Sequence, residues 1–356
     1  MATGGATPMT TATYTDLVSD VDIRFQAKLK AYNDDNIKMM YAREEWTDGD
    51  PRKMTFQTYA LPKWGTERTE HEAPTQSFTV MGNQLEKNFN AYSMAVDITD
   101  FMLKFDREKM ADQIAQSLLE GCMREFNLQL THQRLTFADT LNYQPAGKSY
   151  TRSIGTPDGL APGSASHTVP GTGATTYSNI LSSAGPLTID NVTSLIGQLQ
   201  KTTVDDDGEL CFHMIDSIVV PNYFPVVKRA AEILGTPNVP FVMENTVNVF
   251  HGGKLPNGQS FKLIVLGMGA VGRDHKHTDG TQNDGTGVTA TNRRFHWGVL
   301  DSSYIPAYKY AIAGAPEVFR APPVKSGLYS IWGNMFACYV ATRWQGTGFS
   351  FATALS

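Results

Sequence analysis

The stretch FNAYSMAVDITDFMLKFDREKMADQIAQSLLEGCMREFNLQLTHQ, residues 89–133, decides the fold. Its first part alternates: Tyr92, Met94, Val96 and Ile98 take turns with Ser93, Ala95, Asp97 and Thr99. A period of two predicts a strand with one buried face over 89–99. The period then changes. Met110, Ile114, Leu118, Cys122 and Phe126 recur every four residues, flanked by Ala111, Ala115 and Leu119. This predicts a helix over 106–133, roughly 40 Å long at 1.5 Å per residue. Asp106 and Glu108 put negative charge where the helix dipole favours it, and Asp100 or Asp106 is the candidate cap.

Upstream, the small, Thr-rich residues 1–15 read as an adaptable tail. Leu17, Val21, Phe25 and Leu29 follow at helical spacing, and the whole of 1–46 reads as an arm. From Asp48 the text turns to Gly, Pro and charge. Met54 to Leu61 and Ser77 to Met81 are strand-like runs on either side of a polar tip, Lys63 to Ala73. That pattern predicts a long projecting hairpin within 47–88, with few contacts inside its own lobe.

Downstream, residues 144–186 are rich in Gly, Ser, Thr and Pro without apolar periodicity, and read as an excursion between two lobes. Thr188 is placed to cap a helix carrying Val192, Leu195, Ile196 and Leu199. A buried strand over Ile215 to Val220, a helix over Tyr223 to Leu234 closed by Gly235, and a second buried strand over Phe261 to Leu266 complete that lobe. Met335 to Trp344 and Phe349 to Ala352 flank Gln345-Gly-Thr-Gly348, which reads as a closing hairpin.

Composition bounds the function. Of 356 residues, 18% are charged, below the roughly 25% usual for soluble proteins, and the formal net charge is -5. A low share of charge suits a surface that meets other protein. A net negative chain lacks the basic stripe that gripping nucleic acid requires. Cys122, Cys211 and Cys338 stand far apart, which indicates neither a zinc site nor a disulfide framework and points to a reducing compartment. The first residues show no secretory pattern and no run approaches a membrane span, so synthesis and assembly in the cytoplasm are expected.

The chemical motifs fail their own tests. Gly267-Met-Gly269-Ala-Val-Gly272 follows a strand, as a dinucleotide fingerprint must, but Arg273 to Gly280 offers no amphipathic helix to bind a pyrophosphate. Gly147-Lys148-Ser149 lacks the first glycine of a phosphate loop, because Asn142 stands there. His275 and His277, with Asp274 and Asp279, sit at i, i+2 in a loop and lack the spacing of a metal site. His71-Glu72 has no second histidine, and Asp205 to Gly208 lacks the alternating acids of a calcium loop. No catalytic, cofactor-binding or metal-binding residue is assigned, and an enzyme is not expected.

The serial order of arm, long hairpin, strand and long helix, followed by the strand and short helix of Ile215 to Leu234, resembles the tailed-bacteriophage major capsid proteins of the HK-ninety-seven type. The segment Tyr92 to Asp106 resembles the branch related to the phage N-four head protein. This resemblance implies an α+β fold with an N-terminal arm (1–46), an extended β-hairpin loop (47–88) and a peripheral domain with a long spine helix (89–187). An axial domain (188–320) and C-terminal strands returning to the peripheral domain (321–356) would complete it.

It also implies a shell subunit that associates with itself in pentamers and hexamers and encloses double-stranded DNA without reading its sequence. Scaffold, portal and decoration proteins would be partners, the absence of a long N-terminal assembly domain pointing to a separate scaffold. No membrane is involved, and the location is the virion after assembly in the host bacterial cytoplasm. Phe25 and Leu29 in the arm, and Tyr59, Leu61, Trp64 and Phe78 in the hairpin, are the expected intersubunit contacts. Some members crosslink through a lysine in this loop, where Lys63 stands. A loop lysine is ordinarily a solvated charge, and no partner for it is assigned. An encapsulin-like compartment is the alternative, and a nicotinamide-dependent oxidoreductase using the Gly267 loop a more distant one.

Overall fold

The computed structural model describes residues 11–31, 38, 40–45, 53–59, 81–99, 107–135, 140–143, 150–153, 155–169, 175–205, 208–211, 213–235, 250–254, 260–266, 295–303, 308–320, 328–352 and 354–355. It is a mixed helix and sheet structure built around two four-stranded sheets. The first sheet has the order β1 (Ala42–Glu45), β12 (Tyr308–Arg320), β13 (Leu328–Ala341) and β4 (Asn90–Thr99). β1 runs parallel to β12, and the other pairs are antiparallel. The alternation in 89–99 thus forms a strand whose register with β13 runs from Asn90 opposite Ala337 to Thr99 opposite Leu328.

Two helices cover one face of this sheet. The period-four stripe forms α2 (Arg107–Leu135), and the arm forms α1 (Thr11–Ala31). Met110, Ile114, Leu118, Cys122 and Phe126 are all buried, as are Leu17, Val21, Phe25 and Leu29 on α1. Tyr92, Ile98, Ile331, Met335 and Tyr339 rise from the sheet to meet them. Fully burying side chains of this size stabilises by about 1.5–3 kcal/mol each. Phe126 takes Tyr92, Tyr310 and Tyr339 edge-on, with ring centroids 5.5, 5.8 and 6.2 Å away. Gln129, fully buried beside them, accepts from the Tyr92 hydroxyl at 2.8 Å and from the Tyr339 hydroxyl at 3.3 Å, so its carbonyl oxygen has partners.

The second sheet has the order β10 (Lys262–Leu266), β9 (Ser217–Pro221), β11 (Trp297–Leu300) and β14 (Thr347–Ser350). β9 and β10 are parallel, with α4 (Phe224–Gly235) between them in sequence. Ile218, Val220, Trp297 and Val299 face α4 and α3 (Ile189–Thr202), while Val219, Ile264, Leu266 and Leu300 join the core of the first sheet. The Thr188 hydroxyl accepts from the Asn191 N–H at 3.2 Å, the cap expected of it.

Two expectations are corrected. The end of the chain is not a hairpin: β13 belongs to the first sheet and β14 pairs with β11 in the second. Gly346, at φ 74°, turns the chain between sheets. The second lobe does not extend to 320, because β12 pairs along its length with β13. Within the excursion Ala161, His167, Val169 and Leu181 are buried. Two short strands there, β7 (His167–Thr168) and β8 (Thr176–Tyr177), pair antiparallel.

Phe126→Ala removes the ring on which three tyrosines converge, and is expected to lower stability by about 3–5 kcal/mol in chemical denaturation. A loss below about 1 kcal/mol would contradict the position given to this side chain.

Candidate intersubunit surface

On the face of the first sheet opposite the helices lies a two-stranded ribbon, β2 (Lys53–Tyr59) and β3 (Met81–Asn88), paired from Lys53 opposite Asn88 to Tyr59 opposite Met81. The return strand therefore includes 81–88; the expected run Ser77 to Val80 lies outside the described residues. A lone two-stranded ribbon is marginal in water. This one is rooted by Phe56, which is buried with Ala311, Cys338 and Val340 while Met54, Leu85 and Phe89 pack around them. The Lys53 to Glu86 pair at 3.1 Å is half exposed and contributes about 0–1 kcal/mol. Lys87 is held below its usual range by burial under the ribbon.

The expected contact residues divide. Phe25 and Leu29 are corrected: both point inward from α1 and are covered by this chain's own core, which leaves Ile23, 65% exposed, as the large apolar residue on the outer side of α1. Tyr59 ends β2, and nothing is described of its side chain. Leu61, Lys63, Trp64 and Phe78 lie outside the described residues.

Sequence reasoning did not single out the outer face of the first sheet. Beyond the ribbon's root, Trp332 and Phe336 on β13 are 48% and 38% exposed. Their partners across β4 are Ala95 and Ala91, small residues that leave the rings proud of the sheet. The alternation of β13 carries the signal, because Ile331, Met335 and Tyr339 occupy the buried face and the aromatics between them must turn outward. β4 is an edge strand, and among the described residues nothing pairs with its outer side. Phe224, at the start of α4, is 77% exposed.

No protein-family model matches the chain, and no curated protein matches it. Solved structures do resemble it. One is from Mycobacterium phage Patience, at 9% identity and a TM-score of 0.43 over 95% of this chain and 86% of that one. Another is the capsid of Ralstonia phage GP4, at 13% identity and 0.42 over 89% and 88%. A third is the virus-like particle from Pyrococcus furiosus, at 8% identity and 0.42 over 94% and 98%. At identities and scores this low the likenesses assign neither family nor function.

No group of three or more His, Cys, Asp or Glu among the described residues is arranged to hold a metal. Burial pushes the Cys122 and Cys338 thiols up to about 12, so neither offers a thiolate nucleophile. An open depression beside α3 is lined by Tyr177, Ser178, Gln198, Lys201 and Leu210 among others, and its described lining residues include no acid, thiol or imidazole. No helix among the described residues is long and apolar enough to cross a membrane. The Gly267 loop, Lys148, Ser149, and the His275 and His277 pair with its acids lie outside the described residues.

Phe56→Ala is expected to unseat the ribbon while leaving the two helices on the opposite face in place. Limited proteolysis between residues 53 and 88 would accelerate at least tenfold, the factor that about 1.4 kcal/mol of lost anchoring represents. Unchanged cleavage would mean that Phe56 does not hold the root.

Proposed function

We propose that this chain is a self-assembling shell subunit, the major capsid protein of a tailed bacteriophage, of the HK-ninety-seven type and the branch related to the phage N-four head protein. The observation that carries the reading is the ribbon. Among the described residues it is seated on its own subunit by the cluster around Phe56, and the sequence continues from there into 60–80, which brings Leu61, Trp64 and Phe78. A two-stranded ribbon that meets its own subunit through so small a cluster is suited to find further contacts on a neighbour. The order of elements adds support: arm, ribbon, edge strand, long helix, then a second sheet with its βαβ unit.

In this reading function is geometric. A contact between two different patches repeats around a symmetry axis and closes into rings of five and six, and the rings close into a shell. No single contact needs to be strong, because each subunit is held through several at once. The hairpin residues Tyr59, Leu61, Trp64 and Phe78 are the intersubunit contacts of the proposal. The shell encloses double-stranded DNA without reading it, consistent with a net charge of -5. Scaffold, portal and decoration proteins are the further partners. The subunit assembles in the bacterial cytoplasm and resides in the virion.

Replacing Leu61, Trp64 and Phe78 together by Ser is expected to leave the isolated subunit folded by circular dichroism. It would raise the concentration needed for assembly at least tenfold, since buried aromatic anchors are each worth about 2 kcal/mol or more. Assembly of the triple variant at the wild-type concentration would remove the ribbon from the interface.

A further inference from the structure

The crossover from β13 to β14 carries Trp344, and an imidazole lies flat on its indole. His167 is fully buried, and its ring stacks on Trp344 at 4.6 Å between centroids with 1° between the planes. Tyr177 stacks at 6.3 Å, and Val169 and Val204 close the cluster. The two ring nitrogens both face acceptors: Nδ1 is 2.7 Å from Asp158 Oδ2, and Nε2 is 3.3 Å from the carbonyl oxygen of Pro162. A neutral imidazole has one N–H to give, so only the doubly protonated ring donates to both, the Pro162 carbonyl accepting also from Asn179 Nδ2 at 2.8 Å.

The surroundings are arranged for a carboxylate beside a cation. The Asp158 side chain is 4% exposed, and accepts from Thr156 Oγ1, from the Leu160 N–H at 3.2 Å and from the Thr168 N–H at 3.3 Å. Burial pushes its carboxyl up, but the bond and charge of His167 and the donors from Thr156 and Leu160 outweigh that and hold it below the usual carboxylate range. An indole face favours a cation lying against it. The same crossover is fastened elsewhere: Asn179 Nδ2 donates to the Trp344 carbonyl at 3.4 Å, Gln345 Nε2 to the Val204 carbonyl at 3.1 Å, and the Asp301 N–H to the Gly346 carbonyl at 2.8 Å.

We propose that His167 is a proton-operated lock on the crossover that joins the two sheets, closed when the ring carries both protons and slackened when it carries one. With one proton gone, either Pro162 or Asp158 faces a bare nitrogen lone pair inside a buried cluster, and the carboxylate loses its counter-charge. The loop 155–169 then loosens its grip on Trp344, and with it the seat of β14 on the excursion, where the Phe349 N–H donates to the Asn179 carbonyl and the Leu181 N–H donates to the Phe349 carbonyl. The described residues of the elements around Trp344 also include the titratable groups Lys201, Asp205, Glu209, Arg343 and the Tyr177 phenol. Asp158 is the one bonded to the ring. This lock is independent of the shell reading, since it concerns the isolated subunit.

Hydrogen exchange on the full chain tests it, compared at a mildly acidic pH of about 5.5 and at an alkaline pH, on the two sides of the histidine range. After correction for intrinsic rates, protection of the Thr168, Asn179, Leu181 and Phe349 amides is expected to fall about tenfold at the higher pH, the scale of one hydrogen bond to a charged group. In His167→Gln, which has no ionisable ring, the fall should vanish although His213 and His296 are unchanged. Equal protection at both values in the wild type, or the same fall in His167→Gln, overturns the proposal. Should that variant fail to fold, nitrogen NMR of the wild-type ring decides. Two slowly exchanging ring N–H groups at pH 5.5 support the lock, and a bare ring nitrogen there overturns it.

Discussion

The close approach of α2 to β13 and β4 is the constraint on which the rest of the structure depends. A Cβ on Gly121 would sit 2.6 Å from the Met94 side chain, and one on Gly333 would sit 3.2 Å from Leu118 Cβ. With hydrogen at both places the helix can lie low on the sheet, and Phe126 reaches its three tyrosines. Once α2 and α1 occupy that face, every side chain at the opposite parity of β13 must point outward. Cys338 and Val340 receive the root of the ribbon there, and Trp332 and Phe336 are left in the open. The candidate assembly surface is therefore a consequence of how the core is packed.

The two sheets are not separate bodies strung on a linker. Val219, Ile264, Leu266 and Leu300 of the second sheet bury themselves in the core of the first, and the chain crosses from β13 to β14 through a segment held by polar bonds and stacked rings. Apolar contact accounts for the attachment, while the buried polar groups fix its geometry. Such groups are costly to bury unless satisfied, and Asp158 and Asn179 each have several partners.

What was legible in the sequence was periodicity with local chemistry. The stripe from Met110 to Phe126, the alternation from Tyr92 to Ile98 and the Thr188 cap all came through, because each is decided within a few residues. The destination of β14 was not, since Gln345-Gly-Thr-Gly348 has the composition of a hairpin turn and only long-range pairing with Trp297 to Leu300 sends it elsewhere. The return strand of the ribbon was hidden by Gln84, Glu86 and Asn88, exposed residues that favour strands little. The excursion concealed its packing because His167, Asn179 and Trp344 hold it by stacking and hydrogen bonds rather than by an apolar period. For the surface, periodicity named an inward face on α1 but not what it would meet, which is why Phe25 and Leu29 were assigned to a neighbour and belong to the subunit itself.

The central claim is that this fold exists to be repeated. Negative-stain electron microscopy with light scattering, on the purified chain alone and then with a candidate scaffold protein, tests it most directly. Uniform hollow shells, or rings of five and six subunits, with scattering mass to match, are the expected result. A stable monomer or dimer under every condition would contradict it.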